Sequence, residues 1–183
     1  IYNPDKLNKV LAAAHKRNLK VIGWTYVFLK DPIADAKKFL KAVLYKSPSG
    51  DSLDGMAADI EEVTNAKCIE KFSNYVRRAV GKDYPLIAIT FSPMFKRADP
   101  KHYAWKTIAN NFDIIAPMTY WHALKTHQSE KGAYTFTSET ITRIKEYTGK
   151  KDIPIHLIGD GQKTSSKEIE GFLKAASDHK VSA

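Results

Sequence analysis

The feature that most limits the folds open to this chain is a regular alternation. Short apolar runs, rich in β-branched and aromatic residues, are separated by stretches whose apolar residues recur at helical spacing. Asn3-Pro4-Asp5 reads as a helix start, and Leu7, Val10, Leu11 and Ala14 carry its stripe up to Asn18. Val21 to Phe28 (VIGWTYVF) is a continuous apolar run that suits a parallel strand buried on both faces. Asp31-Pro32 caps a second helix with Ile33, Ala36, Phe39, Leu40 and Val43 inward, and Ser47 to Gly50 is a loop. Ser52 to Glu62 then reads as a buried strand that ends in carboxylates. Ala66 to Val80 is a third helix stopped by Gly81, Pro85 to Phe91 a third strand, and Asp99-Pro100 opens a helix through about Asn110. Asp113 to Trp121 is a fourth strand, followed by a polar loop over His122 to Phe136 and a helix capped by Thr137 or Ser138. Ile155 to Ile158 is a fifth strand, Thr164 to Ser166 cap the last helix, and Val181 to Ala183 read as the first residues of another strand.

Strict alternation of this kind means a parallel sheet with right-handed crossovers. A doubly wound sheet calls for a glycine-rich phosphate turn after its first strand, and Leu29-Lys30-Asp31-Pro32 stands there instead. A (β/α)8 TIM barrel takes about 250 residues, so 183 residues fall short by two or three strands. The expected fold is therefore an α/β (β/α)8 barrel, incomplete at both ends, with an open parallel α/β sheet as the alternative. Residues 1–183 read as a single barrel-type domain within a longer chain.

Composition removes several classes of function. One cysteine, Cys68, permits no internal disulfide and no cysteine metal finger. No HExxH pattern or regularly spaced His/Asp set occurs, so no metal or other cofactor is expected. A GxSxG elbow is also absent, which disfavours serine hydrolase chemistry. No apolar run approaches a membrane span. Lys+Arg at 29 against Asp+Glu at 20 gives +9, which favours polyanionic partners such as nucleic acid or an anionic cell-wall polymer. The lysines are dispersed over helix faces, however, so a solvated surface is expected and a nucleic-acid partner is not.

The chemistry gathers where strands end. In the Ser52–Glu62 strand, Ala57, Asp59 and Glu61 share one face while Met56, Ala58, Ile60 and Glu62 share the other. Two acids thus point the same way at the C-terminal end of a strand, the rim on which barrels carry their sites. The other ends offer Trp24, Thr25 and Tyr26; Thr90 and Ser92; Met118, Tyr120, Trp121 and His122; and Asp160 and Gln162. Paired carboxylates with aromatic faces are what a sugar site uses: rings stack on pyranoses while the acids donate a proton and stabilise charge. Asp160 is read either as a second carboxylate facing Glu61 or as a turn residue of Gly159-Asp160-Gly161. Glu62 reads as structural.

These residues reach a resemblance. Asp54-Gly55-Met56-Ala57-Ala58-Asp59-Ile60-Glu61 resembles the DGxDxDxE signature of the family-18 glycoside hydrolases, the chitinase-like enzymes. Met118-Thr119-Tyr120 resembles that family's Met-x-Tyr motif. Gly23 to Phe28, followed by a helix and then Asp59-Ile60-Glu61, is also similar to the family-25 lysozymes. The family-18 resemblance implies Glu61 as general acid, Asp59 as partner of the substrate's N-acetyl group, and Tyr120 as a second hydrogen bond to it. Trp24, Tyr26, Met118, Trp121 and Asp160 are the expected substrate-binding residues. Two positions depart from the pattern: Ala57 stands where the family usually has an inner aspartate, and Trp121 where an acidic or amide residue is common. The implied activity is hydrolysis of an N-acetylated or cell-wall glycan, outside the cell or at its surface. The alternative is a non-catalytic glycan-binding barrel descended from such an enzyme.

Overall fold

Each apolar run pairs with the one before it in sequence, and that fixes the architecture. The computed structural model describes residues 3–61 and 65–183. Five parallel strands, β1 (Ile22–Tyr26), β2 (Gly55–Ile60), β3 (Leu86–Phe91), β4 (Ile114–Thr119) and β5 (Ile158–Gly159), lie side by side in chain order. Helix α1 (Pro4–His15) precedes them, and α2 (Pro32–Val43), α3 (Ala66–Val80), α4 (Trp105–Asn111), α5 (Glu130–Thr148) and α6 (Ser166–Asp178) follow one strand each. A doubly wound sheet reverses strand order at a switch point. Here every step goes the same way, so right-handed crossovers set the helices on one face and the sheet curls into a half-barrel.

Register assigns the two faces. Gly23, Met56, Ala58, Ile60, Leu86, Ala88 and Thr90 share the helix-facing side, and Met56 onward in that series are all buried. Ser92 continues the row and its hydroxyl meets Thr140 Oγ1 of α5 at 2.6 Å. A side chain at Gly159 would come within 3.0 Å of the Phe172 ring of α6, which marks that position as helix-facing too. The opposite, concave face carries Trp24, Ala57 and Ile87 in one row and Tyr26, Asp59, Ile89 and Ala116 in the next. Phe91, Met118 and Ile158 form a further row. Glu62 lies outside the described residues.

Asp54, the first residue of the acidic motif, serves the lower end of the sheet. His15 bridges Asp51 at 2.8 Å and Asp54 at 3.0 Å, while Lys20 and the Val21 amide also donate to Asp54. Burial alone would push the Asp54 carboxyl up; these donors outweigh it and hold it at about 2. The clamp ties the end of α1 to the starts of β1 and β2.

Several boundaries differ from the sequence expectation. Helix α1 stops at His15 rather than Asn18, because Asn18 adopts φ 55°. The first strand spans Ile22–Tyr26 instead of Val21–Phe28, since the chain turns at Leu29 with φ 55°. The helix expected from Asp99 starts at Trp105: the Asp99 carbonyl accepts from His102 and Tyr103 in a closed turn, and the Trp105 indole donates to Ala98 O. Strand β4 ends at Thr119, and Trp121–Ala123 coil into a 3-10 turn. Helix α5 begins at Glu130, and its cap Ser129 stands eight residues before the expected Thr137 cap. Gly132 makes that possible, because a Cβ there would stand 2.6 Å from the His127 backbone. The fifth strand is shifted to Ile158–Gly159, with Ile155 bridging Ile115; His156 bridges Ser182 in the parallel sense.

Candidate active site

Strand β2 sends Asp59, and Glu61 just beyond its end, toward the concave rim because its pleat has period two and Met56, Ala58 and Ile60 take the helix-facing side. Asp59 is 4% exposed, yet its Oδ1 has no hydrogen-bond partner among the described residues. Burial is the main force on this carboxyl; the neighbouring Glu61, near enough to repel and to share a hydrogen bond, adds to it, and the Trp24 side chain opposes. The balance raises Asp59 to about 7. Two acids this close do not both ionise cheaply, so the pair holds one proton into the neutral range.

Around the pair stand aromatic groups. Trp24 of β1 is 61% exposed, which is unusual for the largest side chain on a strand. Tyr26 sits two residues on, edge-on to Phe28 with ring centroids 4.9 Å apart. Tyr120 follows β4 and is 38% exposed. Its hydroxyl is held above the usual tyrosine value by burial and by the charges of Glu61, Asp160 and Asp59. Tyr120 thus lies within electrostatic reach of the β2 acids and of Asp160.

Asp160 forms a turn and also lines an opening. Its Oδ1 accepts from the Gln162 amide at 3.1 Å, and with Tyr120, His122 and Lys163 it borders a cleft of about 530 Å³. Met118 faces the concave side between Phe91 and Ile158 but is only 6% exposed, so it forms floor. Trp121 departs from its expected place at the rim. It is 1% exposed, stacks on Phe172 at 5.0 Å and donates its indole N–H to Glu168 at 3.2 Å. The 3-10 turn after Tyr120 rotates it under α6 into the core. Thr90 and Ser92 also face the helices, away from the acids.

Two residues that the sequence reading passed over hold this arrangement. Tyr103 is 1% exposed and donates its hydroxyl at 2.6 Å to the carbonyl of Ile60, the residue between Asp59 and Glu61. Burial and then the charges of Asp59 and Glu61 keep its hydroxyl protonated. Tyr103→Phe leaves that carbonyl without its donor; the expected cost is about 1–2 kcal/mol, seen as a melting temperature lower by about 4 °C. Glu168 is the other, and its signal was present: it stands three residues after Ser165, the spacing of a capping box, which the structure forms. Among the described residues, no cluster of three or more His, Cys, Asp or Glu side chains is placed to hold a metal ion. No helix among them is long and apolar enough to cross a membrane.

No family model matches the sequence, and no curated protein matches it by sequence. Solved structures do match by shape. The chitinase domain of the spore coat protein CotE from Clostridium difficile superposes with a TM-score of 0.61 at 16% identity, over 86% of this chain and 54% of that one. The shared fold is a parallel (β/α) barrel layout. The β-glucuronidase of an uncultured Clostridium sp. superposes with a TM-score of 0.65 at 11% identity, over 93% of this chain and 33% of that one. The xylanase and α-amylase inhibitor protein XAIP-II from Scadoxus multiflorus does so with a TM-score of 0.58 at 16% identity, over 84% and 60%. The chain thus spans little more than half the length of the chitinase domain.

Proposed function

We propose that this barrel binds and cleaves an N-acetylated or cell-wall glycan, with Glu61 as the proton donor. The observation that carries the reading is the carboxylate pair: Asp59 is raised to about 7 by burial and by Glu61, beside an exposed Trp24. The solved structures of similar shape include a chitinase domain and a β-glucuronidase, which supports a glycan as substrate.

The chemistry follows from the placement. Trp24 offers a flat apolar face for a pyranose ring, and Tyr120 offers a hydroxyl to the acetamide. The pair brings one proton, resting on the more buried Asp59 in the free protein. Transfer through the shared hydrogen bond lets Glu61 protonate the glycosidic oxygen as the C1–O bond breaks. The acetamide carbonyl oxygen closes on C1 to give a cyclic oxazolinium ion. Asp59, now ionised, faces the positive charge that develops there. Water then attacks C1, and the Glu61 carboxylate takes up its proton. A wall glycan as substrate would put the protein outside the cell.

A second reading keeps the cleft and drops the turnover. Ala57 gives Asp59 no inner carboxylate, and Asp59 Oδ1 is left without a partner among the described residues. One protein of this shape is described as an inhibitor of xylanase and α-amylase. Incubating the protein with N-acetylglucosamine oligomers and with peptidoglycan glycan strands, and weighing the products by mass spectrometry, separates the two. New reducing ends are expected under the first reading. Bound but intact oligomers support the second. Under both, Trp24→Ala is expected to weaken oligomer binding about tenfold, the size of one lost ring contact; unchanged affinity removes Trp24 from the site.

A further inference from the structure

Beyond Tyr120, the cleft of about 530 Å³ is bordered by His122, Asp160, Gln162 and Lys163. His122 is held there with unusual care. Its Nδ1 lies 2.8 Å from Glu168 Oε1, which also accepts from the Trp121 indole at 3.2 Å. The other oxygen, Oε2, accepts from the Ser165 amide at 2.8 Å and the Ser165 hydroxyl at 2.9 Å. Glu168 is 4% exposed, and the Ser165 amide first, then His122, hold its carboxyl at about 2. A carboxylate that stays ionised accepts only, so His122 Nδ1 carries the proton and donates it. The Gln128 side chain fixes the same residue from behind by donating to the His122 carbonyl at 2.9 Å. In the neutral imidazole Nε2 is then a bare acceptor. Among the described residues it has no hydrogen-bond partner, and the ring borders the cleft.

We propose that this cleft is a second sugar subsite, in which His122 Nε2 accepts a hydroxyl of an uncharged pyranose and Glu168 is the positioning residue that fixes the tautomer. The proposal rests on the glycan reading above and names where a longer oligomer runs. The cleft joins the carboxylate pair through Tyr120, whose hydroxyl feels Glu61 and Asp59 as well as Asp160. Its polar groups are mixed. Nε2 and the Asp160 oxygen not used by Gln162 accept, whereas the Gln162 amide and Lys163 donate. An anionic sugar would meet Asp160, a cationic one Lys163; a hydroxyl-rich neutral ring satisfies all four.

The test is the length dependence of binding. His122→Asn is the informative variant, because the shorter amide reaches the position of Nδ1 and still donates to Glu168, but puts nothing at Nε2. His122→Ala would instead strip Glu168 of a partner. The dimer and hexamer of N-acetylglucosamine are titrated calorimetrically into the wild type, His122→Asn and Trp24→Ala. The expected result is hexamer affinity about tenfold weaker in His122→Asn, dimer affinity within twofold of wild type, and an unchanged melting temperature. Equal loss for both lengths with a lower melting temperature assigns His122 to the scaffold and overturns the subsite. Unchanged hexamer affinity in His122→Asn, with weakening in Trp24→Ala, overturns the subsite and leaves the glycan reading standing. No binding of either oligomer by the wild type overturns both.

Discussion

Glu61→Gln is expected to lower turnover of a cleaved oligomer by about a thousandfold while leaving its affinity within about threefold. The amide matches the carboxyl in shape and still hydrogen-bonds, so a glycan resting on Trp24 and Tyr120 meets nearly the same surface. What it loses is acid strength. The glycosidic oxygen is a poor leaving group without a proton, and a thousandfold loss corresponds to about 4 kcal/mol of transition-state stabilisation. A second effect accompanies the first. Glu61 is one of the groups that hold Asp59 at about 7, so removing its charge should bring the Asp59 titration down, visible in carboxyl carbon shifts. Turnover within tenfold of wild type would falsify the assignment of Glu61 and move the acid to Asp160, which Tyr120 also feels.

Much of this was legible in the chain because the physics was local. Period-two alternation set Asp59 and Glu61 on one face of β2, and the register with β1 put Tyr26 beside Asp59. Strand-to-helix alternation sufficed for the parallel half-barrel, since crossover handedness leaves few other topologies. Two of the failures share a cause, an irregular turn after a strand end. Trp121 follows Tyr120 directly, and by residue type belongs on a sugar platform; one 3-10 turn sends it beneath α6 onto Phe172. Tyr103 lay inside a stretch that scans as helix, and only the closed turn at Asp99 brings its hydroxyl to Ile60. Glu130 to Phe136 reads as loop because Gly132 and several polar residues interrupt its stripe. The helix forms there because Gly132 lets the His127 backbone pack close. Propensity is a weak prior against a close approach of that kind.

Asp59→Asn is expected to raise the melting temperature at pH 8–9 and to change it little at pH 4. The sign follows from linkage. The Asp59 carboxyl sits at about 7 in the folded chain against an ordinary value of 3.8. Below 3.8 it is protonated in both states and adds nothing. Between 3.8 and 7 the folded state holds a proton that the unfolded state has released, so stability falls as pH rises, and above 7 the loss is complete. The interval bounds the cost at about 4 kcal/mol. Sharing the proton with Glu61 brings it to about 2 kcal/mol, or about 5 °C for a chain of this length. Asn is neutral throughout and escapes the cost. Glu168 shows the opposite design: four donors surround it and it is held at about 2, as expected of an acid that serves the scaffold. Asp59 has a buried oxygen without a partner among the described residues and a raised carboxyl, a placement that weakens the fold at neutral pH and suits an acid kept for chemistry. Melting curves of the two proteins measured from pH 4 to pH 9 decide the matter. A gap that widens from about pH 4 and levels off above about pH 7 supports the shared proton, and parallel curves would show that Asp59 titrates as an ordinary carboxyl and has no proton to relay to Glu61 at neutral pH.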